Sequence, residues 1–253
     1  MFEHRTRNYS GRRVGLFGTG LSPARRGTEV VAPLTGLVGY WTLSESSGNR
    51  LPSVGSVELA PTNAPGGDTG PSGMGNSTAF VTASSQSLEA ANDASFQEGD
   101  FGYTVALWVK LASKAAQMWI AGHEGASQFG WAARWLSSTD RFSWQTSSNG
   151  TAAISVSSAT FGAPVIGQWH FLVGRYHKAE GQISLSVDAG PRDVGSQSGQ
   201  HASTGVLRVG GRYNNTLYVD GSLAGLGVWH RLLNASEISY LYNAGAGRPY
   251  PFS

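Results

Sequence analysis

"RFSWQTSSNGTAAISVSS" (141–158) contains two short runs of alternating side chains on either side of Asn149 and Gly150. An Asn-Gly pair between two such runs is the strongest short signal for a β-hairpin, because both positions tolerate a positive φ. The stretch therefore predicts two antiparallel strands joined by a tight turn.

Similar strand patterns occur along most of the chain. "GYTVALWVKL" (102–111) has apolar residues at every second position from Tyr103 to Val109, with Trp108 and Lys110 on the opposite face, which predicts a half-buried strand. "QWHFLVGRYHKAEGQISLSVDAG" (168–190) predicts two strands and a turn near residues 179–181. Two more strand segments are "TGVLRVGGRY" (204–213) and "NTLYVDGSLAGLGVWH" (215–230). Many short strands with frequent turns predict an all-β fold, an antiparallel β-sandwich or jelly roll.

One short helix is predicted after the last strand, in "NASEISYLYNAGAG" (234–247). Asn234 is a favourable N-cap, and Glu237 three residues later completes a capping box. Gly245 and Gly247 are expected to supply the left-handed C-cap. The apolar stripe consists of Ile238, Leu241 and Tyr242. A stripe this narrow predicts a helix that lies on another part of the fold.

The length of 253 residues fits one β-sandwich domain, predicted over 33–253, preceded by a Gly- and Arg-rich extended arm over 1–32. Cysteine is absent, which excludes disulfides and thiolate metal sites. No apolar run is long enough to span a membrane, and the first residues do not resemble a signal peptide, so we expect a chain without a membrane segment or export signal.

The predicted arm is basic. Residues 1–31 carry six arginines against Glu3 and Glu29, a net charge of +4. The six are Arg5, Arg7, Arg12, Arg13, Arg25 and Arg26. Such a segment has too little apolar surface to order itself alone. We expect it to dock on a neighbouring subunit, which implies an oligomer; a disordered tail and a nucleic-acid-binding tail are the less favoured alternatives.

Five blocks of sequence, in this order, resemble the laminin-G-like, concanavalin-A-like lectin/glucanase superfamily over about residues 36–248. They are "LVGYWTLSESSGN", "SLEAANDASFQEGDFGYTVALWVKLAS", "STDRFSWQTSSNGT", "GQWHFLVGRYHKAEGQISLSVDAG" and "TGVLRVGGRYNNTLYVDGSLAGLGVWHRLLNASEISYLYNAG". The resemblance implies a concanavalin-A-like jelly roll in which the C-terminal helix covers one end.

The resemblance also bears on metals and catalysis. Members of this superfamily often hold calcium through an acidic pair in the last strand, where this chain has Ala224 and Gly225, so we expect neither calcium nor another cofactor. Glucanase relatives need two closely spaced carboxylates on one strand. The nearest acidic pairs, Glu98/Asp100 and Asp188/Asp193, fall at predicted turns, and we expect no enzymatic activity.

A histidine and a glutamate, His123 and Glu124, are adjacent in "AGHEGAS" (121–127). A His beside a Glu in a loop is usually a solvated pair, since a metal site needs more ligands. We therefore predict no metal there.

Candidate glycan-binding residues occur in the central strands and in the "GRYNNT" loop (211–216). They are Trp131, Arg134, Trp135, Tyr213 and Asn214. Sugar rings present apolar faces and hydroxyl edges, which suit an aromatic platform beside guanidinium or amide groups. The alternative for the tryptophans is the core, because alternation places Trp131 and Trp135 on one face and Arg134 on the other.

These features predict a non-enzymatic structural protein of a virion, of the kind found in phage-like structural proteins. A capsid decoration or a tail or fibre adsorption component fits best, with neighbouring virion subunits and cell-surface glycans as partners. The alternative is a carbohydrate-binding module of a surface or secreted protein, located outside the cell or on its surface.

Overall fold

The computed structural model describes Met1 and residues 32–252. The predicted arm and its six arginines lie outside the described residues, so the arm and the domain boundary at residue 32 stay predictions. None of the helices found in the described part is long and apolar enough to cross a membrane.

The described residues form strands and one short α-helix. The strands are β1 (Leu37–Trp41), β2 (Pro52–Val54), β3 (Ala60–Thr62), β4 (Gly66–Thr69), β5 (Asn76–Phe80), β6 (Ser87–Ala90), β7 (Tyr103–Leu111), β8 (Met118–Glu124), β9 (Phe129–Leu136), β10 (Arg141–Gly150), β11 (Ala153–Ser157), β12 (Trp169–His177), β13 (Gln182–Val187), β14 (Asp193–Ser196), β15 (Val206–Val209) and β16 (Gly221–Trp229). The helix is α1 (Ala235–Tyr242), and 3₁₀ turns occupy Thr82–Ser84, Lys178–Glu180 and Asn243–Gly245.

Within the described residues the strands form two antiparallel sheets. The first sheet has the order β14-β13-β12-β7-β16-β1-β2, with β5 paired to β16 and β4 to β5. The second sheet has the order β11-β10-β9-β8-β15-β6-β3. The predicted all-β antiparallel β-sandwich is confirmed, and so is the hairpin of β10 and β11. Its connection is longer than the predicted tight turn, because the last pair is Ser147 with Ala153, and of the Asn-Gly pair only Gly150 has a positive φ, of 79°.

The core lies between the two sheets and is rich in tryptophan. Trp131 and Trp144 from the second sheet stack with their ring centroids 5.3 Å apart. The Trp144 ring lies against Gly174 of β12 in the first sheet, where a side chain would collide with the ring. A glycine at this point therefore lets an indole pack directly on the backbone of the opposite sheet.

A second apolar layer covers the outer face of the first sheet. Trp108 and Phe171 project to this face, and Ile238 and Leu241 of α1 pack with them. The ring of Tyr242 stacks on Trp108 at 5.7 Å. The helix thus covers the outer face of the first sheet, whereas the resemblance implied that it would cover one end of the jelly roll.

Two further expectations are corrected by this layer. Strand β7 is buried on both faces, because α1 and the C-terminal residues cover the face of Trp108 that was expected to be half exposed. The helix has the predicted capping box of Asn234 and Glu237, but its left-handed C-cap is Asn243, with a φ of 49°. Gly245 and Gly247 follow that cap and do not form it.

The Trp144–Gly174 contact gives a prediction about stability. Gly174→Ala would place a methyl group inside the Trp144 ring, so we expect it to lower the free energy of unfolding by about 1–3 kcal/mol. The matched control is Gly66→Ala in β4, where a methyl group meets open space. Urea denaturation of both variants measures the difference. Equal effects of the two substitutions would contradict the proposed packing role.

Candidate functional site

Two of the predicted glycan-binding residues lie inside the core. Trp131 and Trp135 are 1% and 2% exposed, and both belong to the inter-sheet cluster. The Trp135 Nε1 donates to the Asp140 carboxylate at 3.1 Å. Neither ring can offer a face to a sugar, so the prediction of a Trp131/Trp135 platform is wrong, and the core alternative is the correct one.

Arg134 projects from β9 to the outer face of the second sheet. Its guanidinium lies over the Trp119 ring, 5.1 Å from the centroid, and Arg212 lies over the same ring at 4.7 Å. Trp119 is buried beneath them and contacts Phe129 edge to face. This indole between two guanidinium groups organises the outer face, since cation–π contacts hold both charges against one ring.

The loop that carries Tyr213 and Asn214 folds onto this face. The buried Arg208 of β15 donates to the Tyr213 carbonyl oxygen at 3.1 Å and to the Asn215 side-chain oxygen at 2.8 Å. Asn214 is exposed, and its side-chain oxygen accepts a hydrogen bond from Thr216 at 2.6 Å. Arg134, Tyr213 and Asn214 are therefore on the outer side of the same sheet, away from the two core tryptophans.

A cleft of about 190 Å³ opens beside this loop. Its polar lining includes Glu124, Arg212, Ser127 and Thr151, and its aromatic lining is Tyr213 and Phe129. The Glu124 Oε2 and the Arg212 Nε form an ion pair at 3.5 Å, a distance too long for a good hydrogen bond. Both atoms are buried and have no hydrogen-bond partner among the described residues.

Burial sets the electrostatics of this cleft. Loss of hydration raises the pKa of Glu124 to about 7, although the nearby Arg212 acts in the opposite direction. Burial, together with repulsion from Arg212, lowers the pKa of Arg134 to about 10. The cleft therefore holds a carboxyl group that is close to half protonated at neutral pH, beside permanently charged guanidinium groups.

His123 and Glu124 form no solvated pair, and that prediction is corrected. Both belong to β8 and are fully buried. The His123 Nδ1 lies 2.6 Å from the Glu98 carboxylate, while its Nε2 faces the Gly205 carbonyl oxygen at 3.2 Å. Because a carbonyl oxygen can only accept, Nε2 carries a proton, and the His123–Glu98 pair joins strand β8 to the segment between β6 and β7.

The other carboxylates considered for catalysis also serve the fold. Asp188 accepts from the His170 Nδ1 at 2.8 Å and from the Phe171 backbone N–H at 2.8 Å. Asp193 accepts hydrogen bonds from Thr160, and Asp100 pairs with Lys178 at 2.9 Å. These carboxylates are engaged by neighbours, and none of them lines the cleft.

The residues at the usual calcium position of the fold do not fit a cation. Ala224 is buried in the apolar layer on the first sheet. A side chain at Gly225 would run into the Met74 methyl group and the Tyr40 hydroxyl. Among residues 32–252 no group of three or more His, Asp or Glu side chains is arranged to hold a metal ion. The absence of calcium stays a prediction.

Sequence reasoning missed Trp119 and Glu124 as parts of the site. In the sequence, Trp119 is a large aromatic residue directly next to a core-facing position of β8. The bulge between Trp119 and Ala121 breaks the alternation that would have placed Trp119 on the outer face. Glu124 was assigned, together with His123, to a loop in which a solvated pair was expected. Its burial depends on the loop of Tyr213, which is distant in sequence.

The raised pKa of Glu124 predicts a pH dependence of stability. The folded protein binds more protons than the unfolded chain between about pH 4.5 and 7, so the free energy of unfolding falls as pH rises through this range. We expect a loss of roughly 2–3 kcal/mol from this group. Glu124→Gln should remove that part of the decrease, measured by urea denaturation at pH 5.0 and about pH 8. The exposed Glu58→Gln is the control, and a Glu124→Gln variant with the wild-type pH dependence would contradict the assignment.

Comparisons with known proteins agree with this fold. Chains of solved structures that are similar include the binding domain of Paraclostridial Mosquitocidal Protein 1 (14% identity, TM-score 0.61, covering 83% of this chain and 52% of that one). A binding domain of botulinum neurotoxin DC in complex with SialylT is 10% identical, with a TM-score of 0.60 and coverage of 83% and 51%. Trypanosoma rangeli sialidase is 15% identical, with a TM-score of 0.58 and coverage of 84% and 33%.

The chain thus spans about half the length of the toxin domains and a third of the sialidase, and identities this low show a shared fold only. No curated protein matches the sequence. The sequence model of the concanavalin A-like lectin/glucanases superfamily matches residues 82–239, more than half of the chain. With the two-sheet jelly roll described above, this match shows that the chain belongs to the concanavalin A-like lectin/glucanases superfamily.

Proposed function

We propose that this lectin-like jelly roll is a non-enzymatic carbohydrate-binding domain whose ligand enters the cleft formed by Glu124, Arg212 and Tyr213. The observation that carries the proposal is the lining of that cleft, where the partly exposed Arg212 and Tyr213 lie with Ser127 and Thr151 next to the buried Glu124. A sugar hydroxyl both donates and accepts, so hydroxyls placed there can accept from the Arg212 guanidinium and exchange hydrogen bonds with the Ser127 and Thr151 hydroxyls.

The remaining chemistry of the cleft fits the same ligand class. Tyr213 is partly exposed and offers a ring face for the apolar side of a sugar, while Ser127 and Thr151 offer hydroxyl groups. Asn214 lies next to Tyr213 on the exposed part of the loop. These side chains replace the core tryptophans as the aromatic and amide components of the predicted glycan site.

The number of carboxylates supports a binding function rather than glycoside hydrolysis. Hydrolysis uses two carboxyl groups roughly 5–10 Å apart on either side of the scissile bond. Glu124 is the one carboxylate among the described residues that line the cleft. The similar solved chains include binding domains, one of them in complex with SialylT, which is consistent with a surface glycan as ligand.

Glycan binding is tested by substitution of Tyr213. We expect Tyr213→Ala to weaken binding to a glycan array by about tenfold, which corresponds to about 1.4 kcal/mol, because the ring face is lost. The matched control is Tyr240→Ala on α1, a tyrosine that also carries a stacked arginine, Arg248, on the opposite sheet of the sandwich. Both variants are displayed multivalently, since weak sites gain avidity on a particle. Equal binding by wild type and the Tyr213 variant would contradict the proposed site.

We place this binding domain in a virion, as a capsid decoration or a tail or fibre adsorption component. The support is the break in composition near residue 32, where a segment of net charge +4 precedes a domain of net charge −2. Opposite charges on arm and domain favour docking of the arm on a neighbouring copy, which would make the protein an oligomer. A carbohydrate-binding module of a surface or secreted protein is the alternative.

Deletion of residues 1–31 tests the assembly role. We expect the truncated protein to keep the melting temperature of the domain within about 2 °C and to lose its place in purified particles, measured by quantitative mass spectrometry. A variant with all six arm arginines replaced by lysine separates charge from guanidinium geometry. Incorporation of the truncated protein at the wild-type copy number would overturn the docking role of the arm, and absence of the full chain from particles would favour the secreted alternative.

A further inference from the structure

A second pocket lies on the opposite side of the sandwich, on the outer face of the first sheet. It has a volume of about 340 Å³ between β12, β13, the turn at 189–192 and the start of α1. Arg175, Arg192 and Ser186 supply its polar lining, and Ala189, Pro191 and Ile238 supply apolar walls. We name it the Arg175 pocket.

Arg175 is a buried charge without a counter-ion in the described part of the chain. It is 8% exposed, and no carboxylate among residues 32–252 lies within ion-pair distance of it. Its Nη1 donates to the Leu233 carbonyl oxygen at 3.2 Å, and its Nε is buried with no hydrogen-bond partner among these residues. A buried guanidinium in this state leaves a strong donor available to a ligand, because such groups normally have paired partners.

Ser186 gives a second, independent sign that the pocket is built for a ligand. It is 3% exposed, and its hydroxyl has no hydrogen-bond partner among the described residues. It projects from β13 into the same pocket. Two nine-tenths-buried side chains on adjacent strands therefore line one cavity, and each has a polar atom without a hydrogen-bond partner among the described residues.

The electrostatic surroundings favour a negative ligand. Burial and repulsion from Arg192 lower the pKa of Arg175 to about 10, which shows that the charge is held at a cost in this place. The Arg192 guanidinium lies 3.3 Å from the Glu180 carboxylate and is largely engaged there. Helix α1 begins at Ala235, on the lining of the pocket, and its N-terminus adds a positive potential.

We propose that the Arg175 pocket binds the carboxylate group of a small organic acid with an apolar body. The carboxylate would accept hydrogen bonds from the Arg175 Nε and from the Ser186 hydroxyl, and the body would pack on Ala189, Pro191 and Ile238. This site is on the other sheet from the glycan cleft and is independent of it. It assigns a function to the Arg175 Nε and the Ser186 hydroxyl, which have no hydrogen-bond partner among the described residues.

The test is an NMR titration of the full-length, ¹⁵N-labelled chain with sodium cyclohexanecarboxylate and sodium acetate at constant ionic strength. The backbone N–H signals of Gly190 and Ala235 report binding. We expect saturable shifts with both acids, at a lower concentration for cyclohexanecarboxylate because its ring contacts the apolar walls. The neutral cyclohexanecarboxamide should give no saturable shift, since it lacks the charge.

Variants separate the proposed contacts from a general charge effect. Arg175→Lys keeps the charge but loses the guanidinium fork, and we expect at least tenfold weaker binding. Ser186→Ala should weaken binding about threefold or more. Arg141→Met removes a positive charge at the start of β10, in the second sheet, and should leave the affinity unchanged.

Three results would overturn the proposal. The first is that neither acid gives a saturable shift. The second is that the amide gives shifts as large as those with the acids. The third is that the Arg141 and Arg175 variants lose affinity equally. If the Arg175 variant does not fold, Ser186→Ala decides, and an unchanged affinity in that variant overturns the proposed contacts.

Discussion

The contact between Trp144 and Gly174 is the constraint on which the two-sheet arrangement depends. An indole from the second sheet rests on bare backbone of the first, and Trp131 stacks on its other side at 5.3 Å. Because a protein interior is close-packed, the thickness of this stack sets the distance between the two sheets, and packing at that distance leaves no void. Register follows from it, since a shift of one residue in β12 would replace the glycine by a side chain and turn Leu172 or Tyr176 out of the core.

The same alternation decides what each outer face becomes. Residues of β7 and β12 that point away from the core are large and apolar on the first sheet, so that face needs a cover, and α1 with its Ile238 and Leu241 supplies it. On the second sheet the outward positions of β8 and β9 carry Trp119 and Arg134. A guanidinium shields the indole from water there while keeping its own charge hydrated at the edge. One face is therefore covered in part by a helix, beside which the Arg175 pocket stays open, and the other carries arginine side chains over an indole.

The sequence was sufficient for features that depend on neighbouring residues. The hairpin at Asn149 and the capping box of Asn234 follow from local backbone chemistry, and both are present. Alternation also placed Trp131 and Arg134 correctly on opposite faces of β9, but it could not show which of these two residues points toward the core. The burial of His123 could not be read locally either, because its partner Glu98 arrives from 25 residues away.

The partners of the buried charged groups come from distant parts of the sequence, and they separate the groups that stabilise the fold from those that line the proposed sites. Glu98 and His123 are hydrogen-bond partners in the interior, as are Asp188 and His170. The burial of these groups is therefore explained by contacts within the fold. Glu124 and Arg175 are buried as well, yet each keeps a side-chain atom without a hydrogen bond in the described part of the chain, and each residue belongs to the lining of a cavity. A buried charged group that keeps an atom without a hydrogen bond beside a cavity is a position at which a ligand can complete the hydrogen bonding that the chain itself leaves open.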